Sequence, residues 1–215
     1  MQKYVSEFLG TFILLLSIVG SGIAGQQYTE DQMVILFSHA VVIAFTLIFL
    51  IRMFANYSGA HFNPIVSLLF FFKGELSSKD LVIFIVIQCV AATLGTMFAN
   101  FLFGLNIIEI SSNIRSGHNI YISEIFSTFG LLMVILLSRA DGKNIVAFNV
   151  GIYICAAIIF TSSASFANPA VTIARMFTES FAGIHPSTIF FFIGSQALGM
   201  GAAYGVYTKV FEKKS

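Results

Sequence analysis

Long apolar runs and short polar breaks alternate along the chain, and the lengths of the runs predict its elements. Six runs reach the roughly 20 residues that a helix needs to cross a bilayer. They cover residues 4–24, 33–54, 80–105, 119–139, 144–162 and 187–210. Two further apolar runs, 65–72 and 170–177, are too short to span, and each follows an Asn-Pro pair. Asn is a favoured helix N-cap and Pro a favoured first helical residue. Asn63-Pro64 and Asn168-Pro169 therefore read as the starts of two half-length helices.

The pattern repeats. Ser6-Glu7-Phe8-Leu9-Gly10-Thr11-Phe12 and Ser123-Glu124-Ile125-Phe126-Ser127-Thr128-Phe129 share the form SExxxTF, 117 residues apart. The two Asn-Pro runs are 105 residues apart, and Gln88 and Gln196, each inside a span, are 108 apart. Three landmarks in one order predict a single channel domain over 1–215 built from two repeats, near 1–108 and 118–215. Three spans per half force the halves into opposite orientations, an inverted repeat whose two half helices meet near the bilayer midplane.

Composition agrees with this reading. The chain is 57% apolar and 10% charged, with a mean hydropathy of +0.91, against about 25% charged residues in soluble domains. The net charge of +1 argues against a nucleic-acid partner. Tyr4, Tyr28, Tyr57 and Tyr121 fall near span ends, where amphipathic rings settle. A long span begins almost at once, with no separate cleavable signal ahead of it. Cys89 and Cys155 lie inside spans and read as small buried apolar residues.

Charge sets the expected orientation. With the N-terminus inside, the inner segments hold Lys3, Arg52, Lys73, Lys79, Arg139, Lys143, Lys209, Lys213 and Lys214, leaving Arg115 and Arg175 outside. The positive-inside rule then places both termini in the cytoplasm.

Few residues carry chemistry. Two half helices starting at the midplane would point their N-termini, each worth roughly half a positive charge, at the centre. Asn63 and Asn168 would add amide donors there for a permeating oxygen. The blander reading is that each Asn caps its helix. Glu7 and Glu124 are the acids well inside spans, and intramembrane carboxylates are functional candidates by default. Their equivalent positions favour a scaffold role, accepting backbone N–H groups of the segment before each half helix, over proton relay. Gln88 and Gln196 read as interhelical hydrogen-bonding residues. His39 shares a helix face with Ile43, and His61 falls at the inner mouth. No His, Cys or carboxylate cluster has metal spacing, and no nucleophile constellation or phosphate loop is evident. The reading implies no cofactor and no enzyme.

With these motifs in view, the chain resembles the major intrinsic protein family, the aquaporins and aquaglyceroporins. Ser58-Gly59-Ala60-His61-Phe62-Asn63-Pro64, Asn168-Pro169-Ala170, the SExxxTF segments and the two glutamines carry the likeness. Residues 165–175 and 178–184 more narrowly resemble a bacterial branch associated with arsenic resistance. The resemblance implies an all-α membrane protein with an aquaporin-like hourglass fold, six transmembrane helices and two re-entrant half helices. It also implies a pore in each protomer of a homotetramer in a bacterial inner membrane. Asn63, Pro64, Asn168 and Pro169 would form the pore midplane.

Two departures from the family follow. The first motif is Asn-Pro-Ile, so Ile65 is expected to add bulk near the centre. The Arg usual three residues after the second Asn is replaced by Val171. By family spacing the outer selectivity filter is Ile43, Ala156, Ser165 and Val171, a ring without charge or aromatic group, expected to be wide and apolar. Arg175, one turn further out on the face of Val171, is a candidate vestibule residue with His39 and His61; otherwise it binds loop carbonyls or Glu179. The expected activity is passive conduction of water and small uncharged polyols, with neutral arsenite or antimonite hydroxides and organoarsenicals as further solutes. An inverted-repeat secondary transporter and a strict water channel are the alternatives.

Overall fold

The structure, a computed structural model, describes residues 1–212. Lys213 and Lys214, counted above with the inner basic residues, lie outside them. Eight α-helices account for the framework. They are α1 (Gln2–Tyr28), α2 (Gln32–Phe54), α3 (Pro64–Phe72), α4 (Ser78–Leu102), α5 (His118–Ser138), α6 (Lys143–Phe160), α7 (Pro169–Ala174) and α8 (Ile189–Val206). Six, all but α3 and α7, are long and apolar enough to cross a membrane. Every predicted span falls on one of these. The second half helix is shorter than its apolar run suggested, because the chain tightens from α7 into a 3₁₀ turn, Arg175–Phe177.

Helix starts follow from local chemistry. Asp31 accepts hydrogen bonds from the Met33 and Val34 amides to cap α2, and Ser77 caps α4 through the Asp80 amide. Asn63 and Asn168 cap α3 and α7 in the same way, with Pro64 and Pro169 at the first helical position.

The long helices pair as α1 with α4, α5 with α8, and α2 with α6. Small residues let the first two pairs approach closely. A methyl group on Gly95 would strike the Phe12 carbonyl of α1, and one on Gly199 would strike the Ile125 carbonyl of α5. Ala91 and Ala203, one turn from each glycine, are fully buried. Close backbone approach through small residues is the usual way helices associate where no hydrophobic effect separates them from lipid. The outward faces of the bundle carry exposed Phe, Val, Ile and Leu, such as Phe45, Val86, Ile122 and Phe190.

One end of the bundle gathers Lys3, Lys73 and Arg139, three of the basic residues assigned above to the inside. Lys3 pairs with Asp80 at 2.8 Å, Lys73 with Glu212 at 2.5 Å, and Arg139 with Glu75 at 2.6 Å. These contacts bring the beginning of α1 and the residues after α8 to the same end.

Candidate solute pathway

Two buried carboxylates hold the two segments that precede the half helices. Glu7 accepts hydrogen bonds from Ser58 Oγ (2.6 Å), the His61 amide (2.9 Å), the Phe62 amide (2.7 Å) and Gln88 Nε2 (2.8 Å). Glu124 accepts them from the Phe166 amide (3.2 Å), the Ala167 amide (2.6 Å) and Gln196 Nε2 (2.8 Å). Each glutamine also donates into its half helix, Gln88 to Ser67 Oγ at 3.0 Å and Gln196 to Thr172 Oγ1 at 2.9 Å. Those hydroxyls in turn donate to the carbonyls of Asn63 and Asn168. Buried backbone donors need partners, and here glutamate supplies them where no helix does.

The same segments are wound into the left-handed region. Gly59, Ala60 and Phe62 have φ of 88°, 53° and 48°; Ala164, Ser165 and Ala167 have φ of 56°, 46° and 47°. Five of these six residues carry a side chain, which costs energy in that region, and the glutamate hydrogen bonds offset it. The winding brings the two segments together. Asn63 Nδ2 donates to the Ala167 carbonyl at 2.8 Å, and Asn168 Nδ2 donates to the Phe62 carbonyl at 2.9 Å. Each amide keeps a second N–H. Pro64 and Pro169 stand behind the asparagines and are not part of the cavity wall.

A narrow cavity of about 70 Å³ runs past this junction. One wall is apolar, with His39, Ile43, Leu47 and Ile51 of α2 and Val150, Ile154 and Ile158 of α6 spaced four residues apart along each helix. The facing wall is the wound segments, with Asn63, Asn168, Ser165, Val66 and Val171. Ala60, His61, Ile51, Val66 and Val150 are shared with a second, wider cavity of about 300 Å³ at the end that holds Glu75, Arg139 and Lys143. The two cavities therefore adjoin. The Arg139 guanidinium donates twice to Glu75, at 2.9 and 2.6 Å, and holds that carboxyl below the usual carboxylate range.

The filter expected from spacing needs one correction. Ile43, Ser165 and Val171 line the cavity, but Ala156 does not; it is exposed on the outward face of α6. Ile158, two residues on, faces inward with Ile154. A helix turns 100° per residue, so a shift of two exchanges inner and outer faces. The ring remains apolar but is bulkier than alanine would make it. Ile65 is also not in the cavity wall; it is buried in the core, where its amide caps onto Asn63.

Of the candidate vestibule residues, His61 lies where the cavities adjoin, its ring stacked on Phe70 at 4.8 Å and its Nδ1 3.1 Å from Ser67 Oγ. His39 is buried in the wall toward the other end, its Nδ1 2.8 Å from Ser21 Oγ. Arg175 lines the same end. It is 4% exposed, donates from Nε to the Ala182 carbonyl, and lies over the Phe166 ring at 3.5 Å. Glu179 is not its partner, since that carboxylate accepts from the amide and hydroxyl of Ser112. Phe166 and Ile158 escaped the sequence reading. Apolar residues on both faces of α6 hid Ile158, and Phe166 carried no signal. Among the described residues no group of His, Cys, Asp and Glu could hold a metal ion.

Comparison with known proteins fits this geometry. The profile of the major intrinsic protein family matches residues 1–165. The chain is 38% identical over 198 residues to aquaglyceroporin AqpS of Rhizobium meliloti (strain 1021), covering 92% of this chain and 85% of that one. It is 26% identical over 221 residues to a probable TIP-type aquaporin of Antirrhinum majus, covering 98% and 87%. The X-ray structure of the aquaglyceroporin from Plasmodium falciparum superposes with a TM-score of 0.79 at 19% identity, covering 97% of this chain and 96% of that one, a likeness of fold. Profile, relatives and geometry agree that this chain is a member of the major intrinsic protein family.

Proposed function

We propose that the chain is a passive transmembrane channel for water and small neutral solutes such as glycerol. The adjoining cavities carry this reading, running from Arg175 and His39 past both asparagines to Glu75 and Arg139. The path is amphipathic along its length. Isoleucines and valines accept the carbon face of a polyol, while asparagine amides satisfy its hydroxyls. Cations meet two helix N-termini at the centre. The aquaglyceroporin name of the 38% identical relative supports the same solute class.

Finer assignments belong to the same proposal. The midplane is Asn63 and Asn168, backed by Pro64 and Pro169. Glu7, Glu124, Gln88 and Gln196 are scaffold, since all their mapped hydrogen bonds are spent on the wound segments and half helices. The outer filter is Ile43, Ile158, Ser165 and Val171. Without an arginine at Val171, dehydrating a very polar solute is compensated less, so partly apolar solutes gain, and arsenite or antimonite as neutral hydroxides fall in range. The halves are an inverted repeat, the protein is a homotetramer in a bacterial cell membrane, and both termini are cytoplasmic, in keeping with the basic end of the bundle.

Stopped-flow light scattering of proteoliposomes tests the solute class, with water, glycerol, urea and arsenite side by side. Fast water and glycerol flux is expected. Fast water flux with no glycerol flux would make it a strict water channel and refute the filter assignment.

A further inference from the structure

The outer end of the cavity holds a cation with no ion-pair partner among the described residues. Arg175 is 4% exposed and is in the cavity wall. Only its Nε is engaged by the protein, on the Ala182 carbonyl; neither Nη donates to any described residue, and no described carboxylate pairs with it. Arg115, 5.4 Å from the Phe166 ring, differs. Its Nε and Nη2 are both satisfied, by the Gly183 carbonyl at 3.0 Å and the Phe181 carbonyl at 2.8 Å. Arg115 ties down a loop. Arg175 keeps four N–H groups unspent.

Two further groups in the same wall are unspent. Ser165 Oγ is buried with no hydrogen-bond partner. Ser21 Oγ stands 2.8 Å from His39 Nδ1 and 3.2 Å from the Ile18 carbonyl, and Nε2 of His39 has no hydrogen-bond partner among the described residues. A guanidinium donor, an unspent imidazole nitrogen and an orphan hydroxyl thus stand around a ring otherwise made of Ile43, Ile158 and Val171.

We infer that Arg175, with Ser165 and His39, forms the solute-recognising and charge-excluding site of the outer constriction, supplying from one turn further out the cation that Val171 lacks. The Phe166 ring beneath the guanidinium fixes its plane by a cation–π contact and leaves its edge for a solute. Each hydroxyl of a neutral polyol is both donor and acceptor and matches this set. A cation meets a buried guanidinium that has no ion-pair partner among the described residues, and away from bulk solvent such a charge acts strongly. Val171, not an arginine, occupies the ring itself, so exclusion of ions does not require exclusion of glycerol.

The inference rests on the channel reading, and proteoliposomes separate the two. Absence of wild-type water flux would defeat the channel itself. With wild-type flux present, Arg175→Met is expected to raise proton leak, read by an internal pH dye, at least tenfold. It should also change the glycerol-to-water flux ratio while water flux persists, and Arg175→Lys should restore ion exclusion. Phe166→Leu leaves the Ala182 hydrogen bond in place and should shift the same ratio less; it serves if the Met variant fails to assemble. Unchanged leak and ratio in the assembled variants would overturn the inference. So would a parallel fall in water flux, glycerol flux and thermal stability that Lys does not rescue, which marks Arg175 as loop structure alone.

Discussion

At one end of the pathway the His61 ring stacks on Phe70 at 4.8 Å; at the other, Arg175 stacks on Phe166 at 3.5 Å. Position 61 corresponds to 166 and position 70 to 175, by the offset of 105 that relates the two asparagines. An arginine outside the stack also stands near each of these Phe rings, Arg139 at 5.0 Å from Phe70 and Arg115 at 5.4 Å from Phe166. The two ends therefore share a stacked layer but reverse its chemistry. Around that layer the frame barely varies. Glu7 and Glu124, Gln88 and Gln196, Ser67 and Thr172, and the left-handed triplets all recur with matching partners. The frame is fixed because buried backbone donors tolerate few substitutes. The stacked layer, in contrast, differs between the two ends.

The largest effect should come from breaking the frame. Glu7→Ala leaves two amides, a hydroxyl and a glutamine without their acceptor, and Glu124→Ala leaves two amides and a glutamine. Each unpaired buried donor costs about 1–3 kcal/mol, so both variants should lose thermal stability in detergent, Glu7→Ala more severely. Shifts of a degree or two would show that the carboxylates do not hold the wound segments.

A smaller and more selective effect separates the mouths. Val66 and Val171 are counterparts, each three residues beyond its Asn, and both line the narrow cavity. Val171→Arg is expected to cut glycerol flux about tenfold, or about 1.4 kcal/mol of barrier, while water still passes. Val66 also borders the wider cavity, close to His61, so Val66→Arg should slow water and glycerol together. Equal selectivity changes from both would contradict an outer filter distinct from the inner mouth. The smallest effect tests the face of α6. Ile158→Ala should raise flux of polyols larger than glycerol roughly threefold or more, and Ala156→Leu should leave every flux within error. The reverse outcome would restore the spacing-based assignment.

Which parts could be read beforehand follows from what each signal encodes. Span lengths, the Asn-Pro caps and the paired glutamates were legible because run length, capping chemistry and intramembrane charge are local properties. The inward face of α6 was not. Ile158 and Ile159 are both apolar, one buried in the cavity wall and the other exposed on the bundle surface, so periodicity could not choose between them. Counting back from Asn168 assumed a fixed rotation of α6 and put Ala156 inward. Arg175 was legible as a charge one turn beyond Val171. Its destination depended on Glu179 being engaged by Ser112, a contact 67 residues distant in sequence that no local pattern encodes.

The central claim is that solute passes through one open, uncoupled path. Initial glycerol flux into proteoliposomes, measured across rising glycerol concentration with and without an imposed proton gradient, tests it most directly. A channel predicts flux that rises linearly and is indifferent to the gradient. Flux that saturates and follows the proton gradient would contradict it and make Glu7 and Glu124 coupling groups of a transporter.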